Sequence, residues 1–298
     1  MVSDGFKEEI AALVGERMGD ACVREYNAVK NNSVCRAGLT IQVQDSNIAP
    51  CIYLEDFYKD YLEGRKGMEE IADEIAQGCH RDSIMEKLEL PAMGEYPSVK
   101  SLLHGRLVNT ERNRETLEKV PHREFLDLSI VYCVEFLFPD SGGTGSVQVT
   151  DRLMELWGKT EPDLYGQAME NMMESDRADL FSMADIFKDM QGCNPGADLG
   201  DAFPMYILTN QRRFHGAVQI LNSKAMEQAA VVIGQDFFIL PSSIHETILV
   251  PVGEMDASPR ELAAMVHEVN ETCVLEEEIL SGHVYRYCTA DGQIKTTA

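Results

Sequence analysis

The chain has 298 residues, 44% of them apolar and 26% charged, and a formal net charge of −24. That is enough apolar sequence for a sizeable core, in one large domain or two small ones, and it argues against extended disorder outside short loops and the tail "GQIKTTA". The acidic excess disfavours direct binding to nucleic acid or to an anionic membrane, and no apolar run approaches the roughly 20 residues that span a bilayer.

Phe6, Ile10, Leu13 and Val14 recur at helical spacing, so a first helix is predicted from an N-cap at Ser3 to about Met18. This amphipathic start has neither a basic nor an apolar leader region, which predicts a cytoplasmic protein with reduced thiols. "CVREYNAV" and "GLTIQVQ" read as strands, joined through Asn31-Asn32. "NIAPCIYLEDFYKDYLEG" starts extended and turns helical near Leu54, with Gly64 as its stop. "MEEIADEIAQGC" gives a helix with Ile71 and Ile75 on one face. Two prolines and a glycine in "ELPAMGEYPS" mark a soft boundary. It predicts an N-terminal subdomain over residues 1–95 and a larger one over 96–298, unless the N-terminal strands join the later sheet.

"VKSLLHGRLVN" and "REFLDLSIVYCVEFLF" read as one strand each, and "PDSGGTGS" as a loop. "VTDRLMELWG", "EPDLYGQAMENMMES" and "ADLFSMADIFKDM" read as helices, and "QGCNPGADLGDAFP" as a loop. Then come a strand "MYILTN", a helix "GAVQILNSKAMEQAAVVIG" ended by Gly234, and the strands "DFFIL" and "TILVPV". "SPRELAAMVHEVNE" is a helix whose Ser258, Pro259 and Glu261 form a capping box with proline at the first helical position. "HVYRYC" closes the series before an Asp291-Gly292 turn. Hairpins mixed with helices, without strict alternation, predict an α+β fold with a mostly antiparallel sheet and flanking helices.

Ser242, Ser243, His245 and Glu246, between two apolar runs, are the residue types of a hydrolase. Such chemistry needs a hydroxyl aimed at the imidazole, an orienting acid (Glu246 or Glu268) and an oxyanion hole. No G-x-S-x-G elbow is present. A polar turn capped by a hydroxyl or a carboxylate accounts for the same residues at lower cost. His267 and Glu271, one helical turn apart, and His245-Glu246 could serve a metal, but there is no H-E-x-x-H. None of the eight cysteines forms a C-x-x-C pair, and "PDSGGTGSV" lacks the Lys-Ser/Thr end of a P-loop. No cofactor and no metal is therefore expected. Residues 161–189 carry many acids among methionines, which suits either a solvated face or a surface for a basic protein partner, a DNA mimic included.

"NNSVCRAGLTI", "NIAPCIYLEDFYKDYLEG", "MYILTN", "GAVQIL", "ILPSSIHETILVP" and "MVHEVN" together resemble an uncharacterised family of anaerobic gut bacteria, a domain of unknown function, with "LPSSIHE" its most specific element. Residues 205–270 are more distantly similar to an uncharacterised family of bacilli. The resemblance implies a bacterial cytoplasmic setting and assigns no catalytic residue. These features together predict a non-enzymatic binding or regulatory protein. The alternatives are a hydrolase or metal-dependent enzyme built on the Ser-Ser-Ile-His-Glu turn, and an acidic inhibitor of a basic partner.

Overall fold

The structure, a computed structural model, describes residues 2–42, 49–81, 91–137, 144–184, 205–255 and 257–297. The fold is α+β, and every strand pairing with a described register is antiparallel. The chain divides into two compact units, Met1–Leu90 with Leu137–Thr144, and Pro91–Phe136 with Gly145–Ala298. No described helix is long and apolar enough to cross a membrane.

In the first unit, α1 (Asp4–Met18) starts where Ser3 Oγ accepts from the Phe6 N–H at 3.4 Å. It buries Phe6, Ile10, Val14 and Met18, one residue per turn along a single stripe. Strands β1 (Cys22–Val29), β2 (Cys35–Gln42) and β3 (Cys51–Tyr53) form a sheet in that order. β2 begins three residues before the predicted Gly38, because Val29 pairs with Cys35 across a turn that holds Asn32 and Ser33 in the left-handed region. The helices α2 (Glu55–Leu62) and α3 (Met68–Arg81) follow. Leu39 and Ile41 of β2 meet α1 and Ile71, Ala72, Ile75 and Ala76 of α3 in this unit's own core.

The second unit contains two sheets. β4 (Leu103–Asn109), β6 (Leu128–Leu137) and β5 (His122–Phe125) lie in that order, and β7 (Thr144–Gln148) pairs with β6. The other sheet runs β13 (Gln293–Thr296), β12 (Tyr285–Cys288), β10 (Phe237–Leu240), β11 (Thr247–Pro251), β9 (Tyr206–Asn210), β8 (Ala178–Ser182). Short helices α4 (Tyr96–Val99), α5 (Arg114–Leu117) and α6 (Asp151–Leu156) precede the longer α7 (Glu161–Glu174), α8 (Ser223–Ile233) and α9 (Pro259–Thr272). β10 is central, and its "FFIL" run is buried on both faces. Phe237 and Ile239 enter the main core with Tyr132, Leu208, Leu249 and Tyr285, while Phe238 and Leu240 pack under Leu262 and Val266 of α9. Each such side chain contributes about 1.5–3 kcal/mol, which is why the strand shows no alternation of polarity.

Several predicted elements are corrected. "REFLDLSIVYCVEFLF" is a hairpin of two strands, turning at Leu126 (φ 59°) and Asp127. "VKSL" is helical rather than extended, with β4 starting at Leu103. Residues 178–182 of "ADLFSMADIFKDM" form β8, paired from Ala178↔Asn210 to Ser182↔Tyr206, where a helix was predicted. The predicted helix from Gly216 is a 3-10 turn over Gly216–Leu221, after which Asn222 starts α8 by accepting from the Ala225 N–H. Residues 144–146 of the predicted glycine-rich loop belong to β7, and "QIKT" of the predicted loose tail pairs with β12. The loop at 191–204 and "PDSGG" lie outside the described residues, as do residues 185–190.

Candidate functional site

The turn between β10 and β11 holds the predicted residues Ser242, Ser243, His245 and Glu246. It is fastened to the segment before β12: Ile244 N–H donates to Glu278 C=O (2.9 Å), Leu280 N–H to Ser242 C=O (3.0 Å) and Ser281 N–H to Pro241 C=O (2.9 Å). Ser242 and Ser243 are buried. Ser243 Oγ accepts from the backbone N–H of His245 at 3.0 Å, so the hydroxyl caps its own turn. His245 Nδ1 accepts from the backbone N–H of His215 at 3.2 Å, which leaves the ring proton on Nε2, 3.4 Å from Glu278 Oε1. Glu246 makes no hydrogen bond among the described residues, and Glu268 is exposed on α9. The turn thus brings Ser243 and His245 together through backbone, and their side chains form no nucleophile and base pair. His267 and Glu271 form an exposed pair at 3.3 Å on α9.

The chemistry-bearing centre of this unit lies beside the turn and was not predicted. On β4, Leu103, Gly105 and Leu107 face the core, which puts His104 and Arg106 on the other face. On β6, Tyr132 and Val134 face the core and Cys133 and Glu135 face away. His104 pairs with Cys133, so the four polar residues share one face. The Glu135 side chain is only 2% exposed. An unpaired carboxylate there would cost several kcal/mol. It is met by Arg106, whose Nε and Nη2 both donate to Oε1 at 2.9 and 2.7 Å, and by Arg212 Nη1, which donates to Oε2 at 2.5 Å. Arg212 Nε reaches Asp176 Oδ1 at 3.1 Å. Burial alone would raise the Glu135 pKa, but the two guanidiniums and nearby His104 outweigh it and bring it down to about 2. Burial lowers His104, and lowers His215 to about 3, so both imidazoles are neutral at physiological pH. Burial raises the Cys133 thiol, which disfavours the nucleophilic thiolate.

The loop after β9 closes this centre. Asn210 is fully buried; its Nδ2 donates to Asp176 Oδ2 (3.0 Å) and to Phe214 C=O (2.9 Å), and its Oδ1 accepts from the Phe214 N–H (3.1 Å). Gln219 Nε2 donates to Asp176 C=O at 2.6 Å. Within the loop, Arg213 (φ 52°) and His215 (φ 53°) are left-handed, a conformation that non-glycine residues hold only where surrounding contacts enforce it. Gly216 is one such contact: a Cβ there would lie 2.2 Å from Thr209 Oγ1 and 2.7 Å from the His245 carbonyl oxygen.

A Ser-His-Asp group lies at the β5–β6 turn. Ser281 Oγ donates to Asp127 Oδ2 (2.7 Å), His283 Nδ1 sits 3.1 Å from the same oxygen, and the Tyr285 hydroxyl donates to Oδ1 (2.5 Å). Ser281 Oγ also lies 3.4 Å from His283 Nδ1, but its proton goes to Asp127 Oδ2, and serine and imidazole meet the same carboxylate oxygen, which is not the serine–imidazole–carboxylate order of a hydrolase relay. In the acidic stretch, Glu161 binds Arg123 and the Tyr132 hydroxyl, Asp163 caps Thr160, and Asp176 belongs to the centre above. Asp185 and Asp189 lie outside the described residues.

Residues 3–289 match the model of a family described as a family of unknown function, DUF5688. The chain belongs to this family. No curated protein and no solved structure matches it. The match spans both units of this DUF5688 chain, including the Ser-Ser-Ile-His-Glu turn and the Arg106–Glu135–Arg212 centre.

The sequence does carry a signal for that centre. Glu135 interrupts the longest apolar stretch, and a carboxylate inside a buried strand needs cationic partners. His104 and Arg106 alternate with apolar residues, and "TNQRRFHG" supplies a second arginine. What the sequence lacks is the pairing of β4 with β6 and the fold-back of the β9 loop, which bring these three segments together.

Proposed function

We propose that this chain is a non-enzymatic binding protein of the cytoplasm whose ligand surface is the Arg106–Glu135–Arg212 centre of the second unit. The observation that carries the reading is the engagement of His245: one ring nitrogen accepts from the His215 backbone and the other faces Glu278, while Ser243 caps the turn. Two of the residues that would act in a hydrolase, Ser243 and His245, are thus engaged in holding the turn and the His215 backbone. The charged centre beside them is fixed by its own ion pairs and carries an exposed aromatic, Phe214, at its edge. A rigid, partly open polar site is what recognition requires.

Thermal-shift screening of the whole protein against a metabolite library tests this, alongside generic esterase, phosphatase and peptidase assays. The expected result is a ligand that raises the melting temperature with no turnover. Turnover that disappears in Ser243→Ala and in His245→Gln, both still folded, would overturn the reading in favour of a hydrolase.

A further inference from the structure

The two arginines are only half used. Arg106 directs Nε and Nη2 at a single oxygen of Glu135, and Arg212 directs Nε at Asp176 and Nη1 at Glu135. Arg106 Nη1 and Arg212 Nη2 make no hydrogen bond among the described residues. Arg106 Nη1 is not buried, and the two side chains are 15% and 30% exposed. Arg106 holds Oε1 and Arg212 holds Oε2 of the one Glu135 carboxylate, so the two cations flank a single group. A guanidinium is never deprotonated and presents its donors in a rigid fork, which suits carboxylate and phosphate oxygens.

Glu135 and Asp176 already balance the two guanidiniums, so an added oxyanion is held by the open N–H donors and by the ring beside them rather than by net charge. The nearby imidazoles are neutral, so His104 and His215 bring no charge of their own. Phe214 is 37% exposed, and its ring centre lies 5.8 Å from the Arg106 guanidinium carbon and 4.2 Å from the His215 ring. Three hydrogen bonds with Asn210 hold that residue's backbone and the turn before it: those from its amide to Phe214 C=O, from the Phe214 N–H, and from the Arg213 N–H. Arg213 and His215 on either side are left-handed, so the loop around Phe214 is held against its local preference.

Building on the binding reading above, we infer that Arg106 and Arg212 form an oxyanion clamp for a small molecule whose carboxylate or phosphate sits on the two open guanidinium edges and whose planar portion stacks on Phe214. Ordering the clamp costs the ligand little, because Glu135 and Asp176 already fix both arginines.

The test titrates the full-length protein with phenyl phosphate, benzoate, inorganic phosphate and the cation benzamidine at matched ionic strength, by calorimetry and by the nitrogen–proton spectrum of the arginine Nε–H groups. Binding of phenyl phosphate, benzoate or both, with the Arg106 and Arg212 signals shifted and benzamidine inert, is expected; the two arms separate phosphate from carboxylate. Phe214→Ala should weaken the ring-bearing probe about tenfold and leave inorganic phosphate unchanged. Arg212→Lys keeps a charge beside Glu135 and should weaken every anion at least tenfold while the protein stays folded by circular dichroism. The clamp is refuted if no anion binds the wild type, if anions bind without moving the two arginine signals, or if Phe214→Ala leaves the ring-bearing probes unaffected. Should the anions fail while an uncharged metabolite still raises the melting temperature, only the clamp falls. If no metabolite stabilises the protein, the binding reading falls with it.

Discussion

At the scale of single residues, Glu135 and Gly216 are the most constrained positions described. Replacing Glu135 by Gln leaves Arg106 and Arg212 facing a neutral amide inside the protein, and loss of one partner of a buried pair costs about 3–5 kcal/mol. Urea denaturation at pH 7 measures this, and a loss below about 1 kcal/mol would mean that water replaces the ion pairs. Gly216→Ala places a methyl group against Thr209, Asn210 and the His245 carbonyl, two of the three contacts being backbone that cannot rotate away. A cost of about 2–3 kcal/mol is expected in the same assay, as for overpacked cores. The pH dependence has two parts. His215 is lowered to about 3 from about 6.5 in the unfolded chain, so the unfolded state takes up the proton first and stability falls as pH drops below about 6.5, continuing toward 3. Glu135 is lowered too, and the stability it supplies is present above about pH 4.3 and lost as pH falls toward 2. Between pH 7 and 5 the wild type should therefore lose about 1–2 kcal/mol, mostly through His215. His215→Asn, which tolerates the left-handed backbone, should flatten that window. An unchanged slope would show that another group titrates there.

At the scale of elements, the clearest link from sequence to structure is the end of the 3-10 turn before α8. Asn222 accepts from the Ala225 N–H and donates to Gln219, whose amide holds the Asp176 carbonyl, so a helix cap is joined to the ionic centre through two side chains. Asn222→Ala should cost about 1–2 kcal/mol, at the upper end for a cap because Gln219 also loses its partner. If the loss stays within a few tenths of a kcal/mol, the cap and the centre are not linked. Elements whose periodicity and start signals agree were legible, as with α1 from Ser3, the helix read from "EPDLYG" and α9 from Ser258. β8 was not. "ADLFSMADIFKDM" has helical spacing at Leu180, Met183, Ala184 and Phe187, and pairing of residues 178–182 along the whole of β9 overrides that local preference. The hairpin in "REFLDLSIVYCVEFLF" was missed because it turns on Leu126-Asp127, without the glycine or asparagine that usually marks such a turn.

At the scale of the whole molecule, each compact unit closes its own hydrophobic core, one built on α1, β2 and α3 and the other on the two larger sheets. We expect calorimetry to show two unfolding transitions, with Glu135→Gln displacing only the one that belongs to the second unit. A single transition that moves as a whole would show that the units unfold as one. The charge of −24 also predicts no measurable binding to duplex DNA at 0.1 M salt, checked by fluorescence anisotropy.

The sequence alone determined the α+β class, most helix starts and the standing of "LPSSIHE" as a polar turn between apolar strands, because each depends on local chemistry: cap residues, periodicity and a proline that ends a ladder. Only the tertiary structure decided where the charge of the second unit does its work. His104, Arg106, Cys133, Glu135, Asp176 and Arg212 come from four separate stretches of chain, and although Glu135 in its apolar run signals a need for cationic partners, no stretch read alone identifies them. Strand register puts the first four on one face, and the Asn210 loop brings in the others. Coulomb attraction and the cost of burying a lone charge depend on distances in space, and no spacing along the sequence fixes those.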